Sequence, residues 1–156
     1  MNRRPHSPLG FRDVTSQIDQ RLVAAIGRFF GDDFSEVRFL QMAAGSAADR
    51  FSGAYGPGAR AFAWSRSVLF PAGREGIWRE PWREENARTI AHELWHIAEL
   101  RATGVIRWCA LFTREMARHG LRDMRHADHE VRAREAAEAF IASEEFRNAR
   151  AEALRQ

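Results

Sequence analysis

The chain has 156 residues, 45% of them hydrophobic, which suits one domain with a packed core. All 24 basic residues are arginine and 21 acidic residues interleave with them, so the net charge is only +3 despite a pI near 10.2; this argues against a nucleic-acid patch, which needs one sign on one face. Cys109 is the single cysteine, so no intrachain disulfide is possible, and no segment approaches the ~18 apolar residues of a membrane span.

Arg3 and Arg4 precede no apolar run, so no secretory signal is expected and the chain is read as cytoplasmic. Residues 1–15, with Pro5 and Pro8, are expected to form a flexible arm ahead of a single domain over 16–156. From 16 to 30, Ile18, Leu22, Ala25, Ile26 and Phe29/Phe30 recur at helical spacing, with Ser16 as the cap and Gly31 as the stop. Val37 and Phe39 suggest a short strand, and Ala43 to Phe51 a short helix. Gly53 to Gly58 holds three glycines and Pro57 and reads as a loop around Tyr55, the single tyrosine, whose hydroxyl is a candidate oxyanion donor. Ala61–Trp64 and Ser67–Phe70 are β-prone runs ended by Pro71-Ala72-Gly73. The loop after them carries Trp78 and Trp82 and is expected to pack down. Three helices follow: Glu84 to Arg101, Val105 to His119, and one from about Ala127 toward the C-terminus. Cys109, among Trp108, Leu111 and Phe112, reads as a buried small hydrophobe. The order of elements gives an α+β fold.

The chemistry concentrates in His92-Glu93-Leu94-Trp95-His96. Residues four apart share a helix face, so the two imidazoles can grip one ion, and Glu93 lies beside it without ligating. Zinc lowers the pKa of a water at such a site toward ~7, and a carboxylate placed like Glu93 can accept its proton as the water attacks a carbonyl. The apolar flanks Ile90, Ala91, Leu94, Ile97 and Ala98 predict a buried helix, where an unpartnered imidazole is costly. A third ligand must come from elsewhere, because Glu99 and Ala102 stand where a histidine-terminated extension of the motif would have Gly and His. The last helix offers His126, His129, Glu130 and Glu135. Glu130 lies on the flank of the stripe Ala133, Ala136, Ala137, Phe140, and Glu135 points away from it. His126 and His129 lie nearer the middle of that stripe, so the spacing alone leaves Glu130, His126, His129 and Glu135 open as the third ligand. Glu99, one turn after His96, is a candidate hydrogen-bond partner for the ligands.

Three segments then carry a resemblance. Phe30-Gly-Asp-Asp-Phe-Ser-Glu-Val-Arg38, Gly58-Ala-Arg-Ala-Phe-Ala-Trp-Ser-Arg-Ser-Val-Leu-Phe-Pro-Ala-Gly73 and Thr89-Ile-Ala-His-Glu-Leu-Trp-His96 resemble, in order and spacing, segments of the extracellular contractile injection system (eCIS) core domain. Glu130-Val-Arg-Ala133 also resembles the Glu-x-x-Ala pattern on the third-ligand helix of Glu-type zincins. The resemblance implies a zincin-like, minigluzincin-type fold: a small sheet packed on the motif helix, with C-terminal helices closing the other side. It implies one zinc per chain on His92, His96 and Glu130, and peptide-bond hydrolysis with Glu93 as base. It implies that Ser67, Val68, Leu69 and Phe70 form the edge strand aligning a peptide or protein substrate. It also implies association with a toxin or an injection-particle component, and export through the injection system. This chain departs from the family at Ala98-Glu99, where two glutamines are usual, and at Trp95, where a small polar residue is usual.

Two other readings compete with the enzyme. One is a non-catalytic module on the same scaffold that docks a toxin or particle component, with a structural or vestigial metal; the retained Glu93 argues against it. The other is an arginine-rich nucleic-acid binder, against which the interspersed acids weigh.

Overall fold

Two strands of Val, Leu and Phe meet at the centre of the molecule. In the computed structural model, which describes residues 10–55 and 59–155, β2 (Arg38–Met42) and β4 (Ser67–Phe70) pair in parallel, Phe39 opposite Val68 and Gln41 opposite Phe70. Phe39, Val68 and Phe70 are fully buried, and the two phenyl rings stack at 6.3 Å. β1 (Phe11–Asp13) flanks β2 and β3 (Phe62–Trp64) flanks β4, both antiparallel, giving the order β1-β2-β4-β3.

This topology changes two expectations. Phe11–Asp13, assigned to the arm, is an edge strand, so the folded domain begins ahead of residue 16. The strand of Ser67, Val68, Leu69 and Phe70, expected at an edge, is an inner strand with a neighbour on each side. Ser67 lies between Arg38 and Trp64, Val68 between Phe39 and Ala63, and Leu69 between Leu40 and Phe62, while Phe70 faces Gln41. With β2 and β3 on its two sides, this strand has no open edge to offer a peptide. The cause is the two-residue connection Ser65-Arg66, with Ser65 in the left-handed region at φ 57°, which folds Phe62–Trp64 back along β4 as a hairpin. The outermost strand on that side among the described residues is therefore β3.

Seven helices complete an α+β fold among the described residues. α1 (Gln20–Phe30) buries Leu22, Val23, Ala25 and Ile26. Its cap is Asp19 rather than Ser16, which sits in a 3-10 turn over 15–17. α2 (Ala47–Tyr55) starts later than expected, because Gly45 turns the chain at φ 71° and donates its N–H to Asp49 of the first turn. The side chain of Tyr55 falls outside the described residues. The tryptophan loop does pack down: it contains the short helix α3 (Gly76–Arg79), Trp78 Nε1 donates to Gln41 at 2.8 Å, and Trp82 Nε1 donates to Asp19 at 2.8 Å.

α4 (Glu84–Thr103) is the central helix. Ala87, Ile90, Ala91, Leu94 and Ile97 recur along one side of it and are all buried. Glu84 and Glu85 suit the positive end of the helix dipole, and Gly104 ends the helix at φ 81°. α4 packs on β3 and β4 and on α6 (Asp128–Ala142). α5 (Val105–His119) lies between them in sequence and leaves Cys109 exposed, against expectation. Trp108 and Phe112 of α5 turn inward, whereas Cys109, one residue or about 100° round the helix from Trp108, faces solvent. The single C-terminal helix expected after Ala127 is broken at Ser143, whose backbone is extended and whose hydroxyl accepts from Phe146 N at 3.1 Å. The chain then returns as α7 (Glu144–Ala153), packing Phe146 against Phe140 and Trp82 beside α1.

Asp19 ties this architecture together. It caps α1, holds the Arg21 guanidinium at 2.7 Å and receives the Trp82 indole. The hydrogen bond from Arg21, outweighing burial, and that from Trp82 pull its pKa from 3.8 to about 2. A depressed carboxylate stabilises the fold above its unfolded pKa, and that contribution disappears as pH falls through the folded value. Wild type should therefore lose about 2 kcal/mol between pH 4 and 2 that Asp19→Asn, which keeps the cap, does not lose. Urea titrations of both proteins across this range check it.

Candidate metal centre

The buried stripe of α4 fixes the helix roll, and this sets where His92 and His96 point. Ile90, Leu94 and Ile97 face the core, which leaves the two histidines on the flank toward α6. Their Nε2 atoms stand 3.2 Å apart. Glu130 comes from the first turn of α6. Ala127 gives that helix no side-chain cap, and Glu115 of α5, only 4% exposed, supplies one by accepting from Asp128 N at 3.2 Å. That bond, prevailing over burial with the nearby Arg118, His119 and Arg114, pulls the Glu115 pKa down. α6 is thereby held with Glu130 Oε2 at 3.1 Å from His92 Nε2 and Oε1 at 3.3 Å from His96 Nε2.

These separations match a cation site. Two donors each ~2.05 Å from a tetrahedral zinc stand about 3.3 Å apart. His92, His96 and Glu130 are the group of His, Cys, Asp or Glu side chains found in this relation among the described residues. Two imidazole nitrogens facing each other in a largely buried site need a shared proton or a cation between them. The Glu130 carboxylate, within 3.1–3.3 Å of both rings, supplies part of the compensation. Burial works against a charged Glu130, but hydrogen bonds from His92 and His96 prevail and hold it well below the usual carboxylate range. Burial likewise works against a charged His96, but the hydrogen bond to Glu130 and the nearby Glu93 raise its pKa above 6.5. A bound dication would take over this charge compensation and displace the proton.

Glu93 is 7% exposed, on the side of α4 that meets β3, with the backbone N–H of Ala63 close enough to favour its charged form. Burial pushes its pKa up, against the attraction of His92 and His96. A carboxylate raised in this way accepts a proton more readily. The Ala63 contact is a feature that sequence reasoning missed; it depends on the hairpin register, which places Ala63 opposite Val68 in the edge strand.

The other candidates fall elsewhere. His126 is exposed in a 3-10 turn beside Arg125, and Glu135 is exposed on α6. His129 is buried next to the cluster without joining it: its Nε2 is 3.6 Å from Glu130 Oε1. Burial lowers its pKa. Glu99 accepts from Arg132 of α6 at 2.6 Å rather than from a histidine of the cluster. Arg134 turns back to the Arg125 carbonyl and leaves Glu130 to the histidines. Trp95 sets its indole edge against His96 at 5.7 Å, with Arg132 stacked over it at 5.8 Å. Arg132, 36 residues beyond His96, gave no signal in the sequence.

Fold and site together define an α+β domain whose central helix and an adjoining helix assemble a two-histidine, one-glutamate cluster beside a buried carboxylate. The chain belongs to the eCIS core domain family: the family's model matches residues 17–104, more than half of the chain. The match takes in His92, Glu93 and His96 and ends before α5 and α6, so Glu130 lies outside it. No curated protein and no solved structure matches the chain. No helix among the described residues is long and apolar enough to cross a membrane.

Proposed function

We propose that this domain is a zinc-dependent peptidase of zincin-like fold, with one zinc per chain on His92, His96 and Glu130 and with Glu93 as general base. The convergence of three ligand atoms at 3.1–3.3 Å carries the reading. When bound, zinc supplies Lewis acidity for polarising a carbonyl and acidifying a water. Glu93, whose carboxylate feels the charges of His92, His96 and Glu130, would be the base that accepts a proton from the attacking water and returns it to the leaving amine. Its buried position and the Ala63 N–H hold its carboxylate in place for this.

β3 is the outermost strand on that side among the described residues and carries Ala63 next to Glu93, so β3 rather than Ser67–Phe70 would be the strand that aligns an extended peptide. Val68 and Leu69 contribute by pairing with Ala63 and Phe62, which holds β3 in register beside the site. Family membership supports a protein substrate or partner belonging to a contractile injection system, either a toxin or a particle component, and export by that route. The retained, buried Glu93 favours the enzyme over a docking module, which needs no base.

Purified without chelator, the protein should carry about one zinc per chain by elemental analysis and cleave members of a degenerate peptide pool, with cleavage stopped by a chelator and restored by zinc. Zinc held without cleavage under any condition would leave the docking module as the function, and a protein that binds no metal would remove the enzyme.

A further inference from the structure

His129 precedes Glu130 on α6, and its side chain is only 10% exposed. It is enclosed by rings: Phe112 at 5.7 Å and Trp108 at 6.4 Å from α5, stacked on each other at 5.1 Å, and His96 at 5.7 Å from α4. Within this aromatic enclosure its Nε2 faces Glu130 Oε1 at 3.6 Å, the ionic contact the structure gives its ring among the described residues. Beyond the rings, His129 lines a small cavity with Glu99, Arg114, Glu115, Asp128 and Arg132, and of these carboxylates and Glu130 it is Glu130 that its Nε2 meets in an ion pair; a largely buried polar nitrogen is costly to leave unpaired.

The cluster geometry shows what this contact can do. Both carboxylate oxygens of Glu130 are held by the imidazoles, Oε2 by His92 and Oε1 by His96. Imidazoles that ligate a cation through Nε2 no longer donate from it, so Glu130 loses both partners when a metal enters. Ligating carboxylates are themselves hydrogen-bonded, and removing such outer partners costs metal affinity. We propose that His129 is a positioning residue for the third ligand: its Nε2–H, aimed by the Trp108–Phe112 stack, donates to Glu130 Oε1 and sets the carboxylate so that Oε2 meets the metal. The inference rests on the metal reading above and deepens it. It gives α5 a task, since the helix supplies both ring walls and, through Glu115, the cap of α6. A contact of 3.6 Å needs to close by only a few tenths of an ångström to become a hydrogen bond of ~3 Å.

The test compares zinc affinity, by competition with a chromophoric chelator, in wild type, His129→Leu and His129→Gln. Leucine fills space without a donor, whereas glutamine places an amide N–H near the original nitrogen. His129→Leu should bind zinc about 10–100-fold more weakly, and His129→Gln should recover most of that loss. In zinc-loaded wild type, a long-range ¹H–¹⁵N imidazole spectrum should show His129 as an unligated Nε2–H tautomer; this measurement stands even if the leucine variant does not fold. Equal affinity of His129→Leu and wild type, equal weakness of the two variants, or an Nδ1–H or metal-bound His129 overturns the inference and leaves the zinc site standing. Wild type that binds no zinc overturns the metal reading, and this inference with it.

Discussion

Glu93→Gln should keep its zinc and lose peptide cleavage by a factor of about 10²–10⁴, the contribution of a positioned general base. The prediction follows from where Glu93 sits. Its carboxylate is not one of the three converging ligand atoms, so its charge is not needed to hold the ion. A glutamine amide has the same shape, and its oxygen can still accept the Ala63 N–H. It cannot accept a proton from water at neutral pH. The same substitution bears on stability with the opposite sign: a buried carboxylate whose pKa is raised by burial is a cost to the fold, and an amide removes that cost. The melting temperature of Glu93→Gln should therefore equal or exceed that of wild type, as expected where a site holds strain for function. Elemental analysis, a peptide pool read by mass spectrometry and a thermal melt check the three parts. A variant that cleaves as fast as wild type would remove Glu93 from the chemistry.

The histidine pair was legible because it is local. A spacing of four on a helix brings two rings together whatever the rest of the chain does, and the apolar stripe from Ile90 to Ile97 announced the helix. The runs Ala61–Trp64 and Ser67–Phe70 were legible for the same reason, but their place in the sheet was not. Whether Val68 and Leu69 sit in a central strand or an edge strand depends on Ser65 taking a left-handed turn and on Arg38–Met42 pairing from nearly thirty residues away. β1, three residues long, is too short to show a period, and its pairing to β2 is what makes it a strand. Glu130 could be read only as one of several candidates, because the sequence showed a helix but not its roll against α4. Cys109 was misread although the information was present: Trp108 and Phe112 share a face one turn apart, and Cys109 falls outside it. The break at Ser143 was also written in the sequence as a Ser with Glu144 and Glu145 after it, a helix start placed inside a stretch rich in helix formers.

Glu130→Ala should weaken zinc binding by about 10²–10³-fold. Structural zinc sites with four ligands bind with ~10–16 kcal/mol, or about 2.5–4 kcal/mol per ligand, and each 1.4 kcal/mol is a factor of ten. This exceeds the effect expected at His129, which would act only through Glu130, so the two substitutions rank the ligand above its support. The pH dependence should change as well. In wild type the hydrogen bond to Glu130 and the charge of Glu93 hold the His96 pKa above 6.5 against burial, so zinc must displace a proton over a range that reaches above that value. Affinity therefore falls as pH drops through the raised pKa. Without Glu130, burial loses its main opponent, His96 titrates lower, and the fall in affinity moves to lower pH. Zinc titrations of both proteins between about pH 5.5 and 8.5 separate the two effects: a lower plateau reports the lost ligand, and a shifted midpoint reports the lost partner of His96. Glu130→Ala with wild-type affinity and midpoint would send the third ligand back to the other candidates on this helix, with His129 the nearest of them.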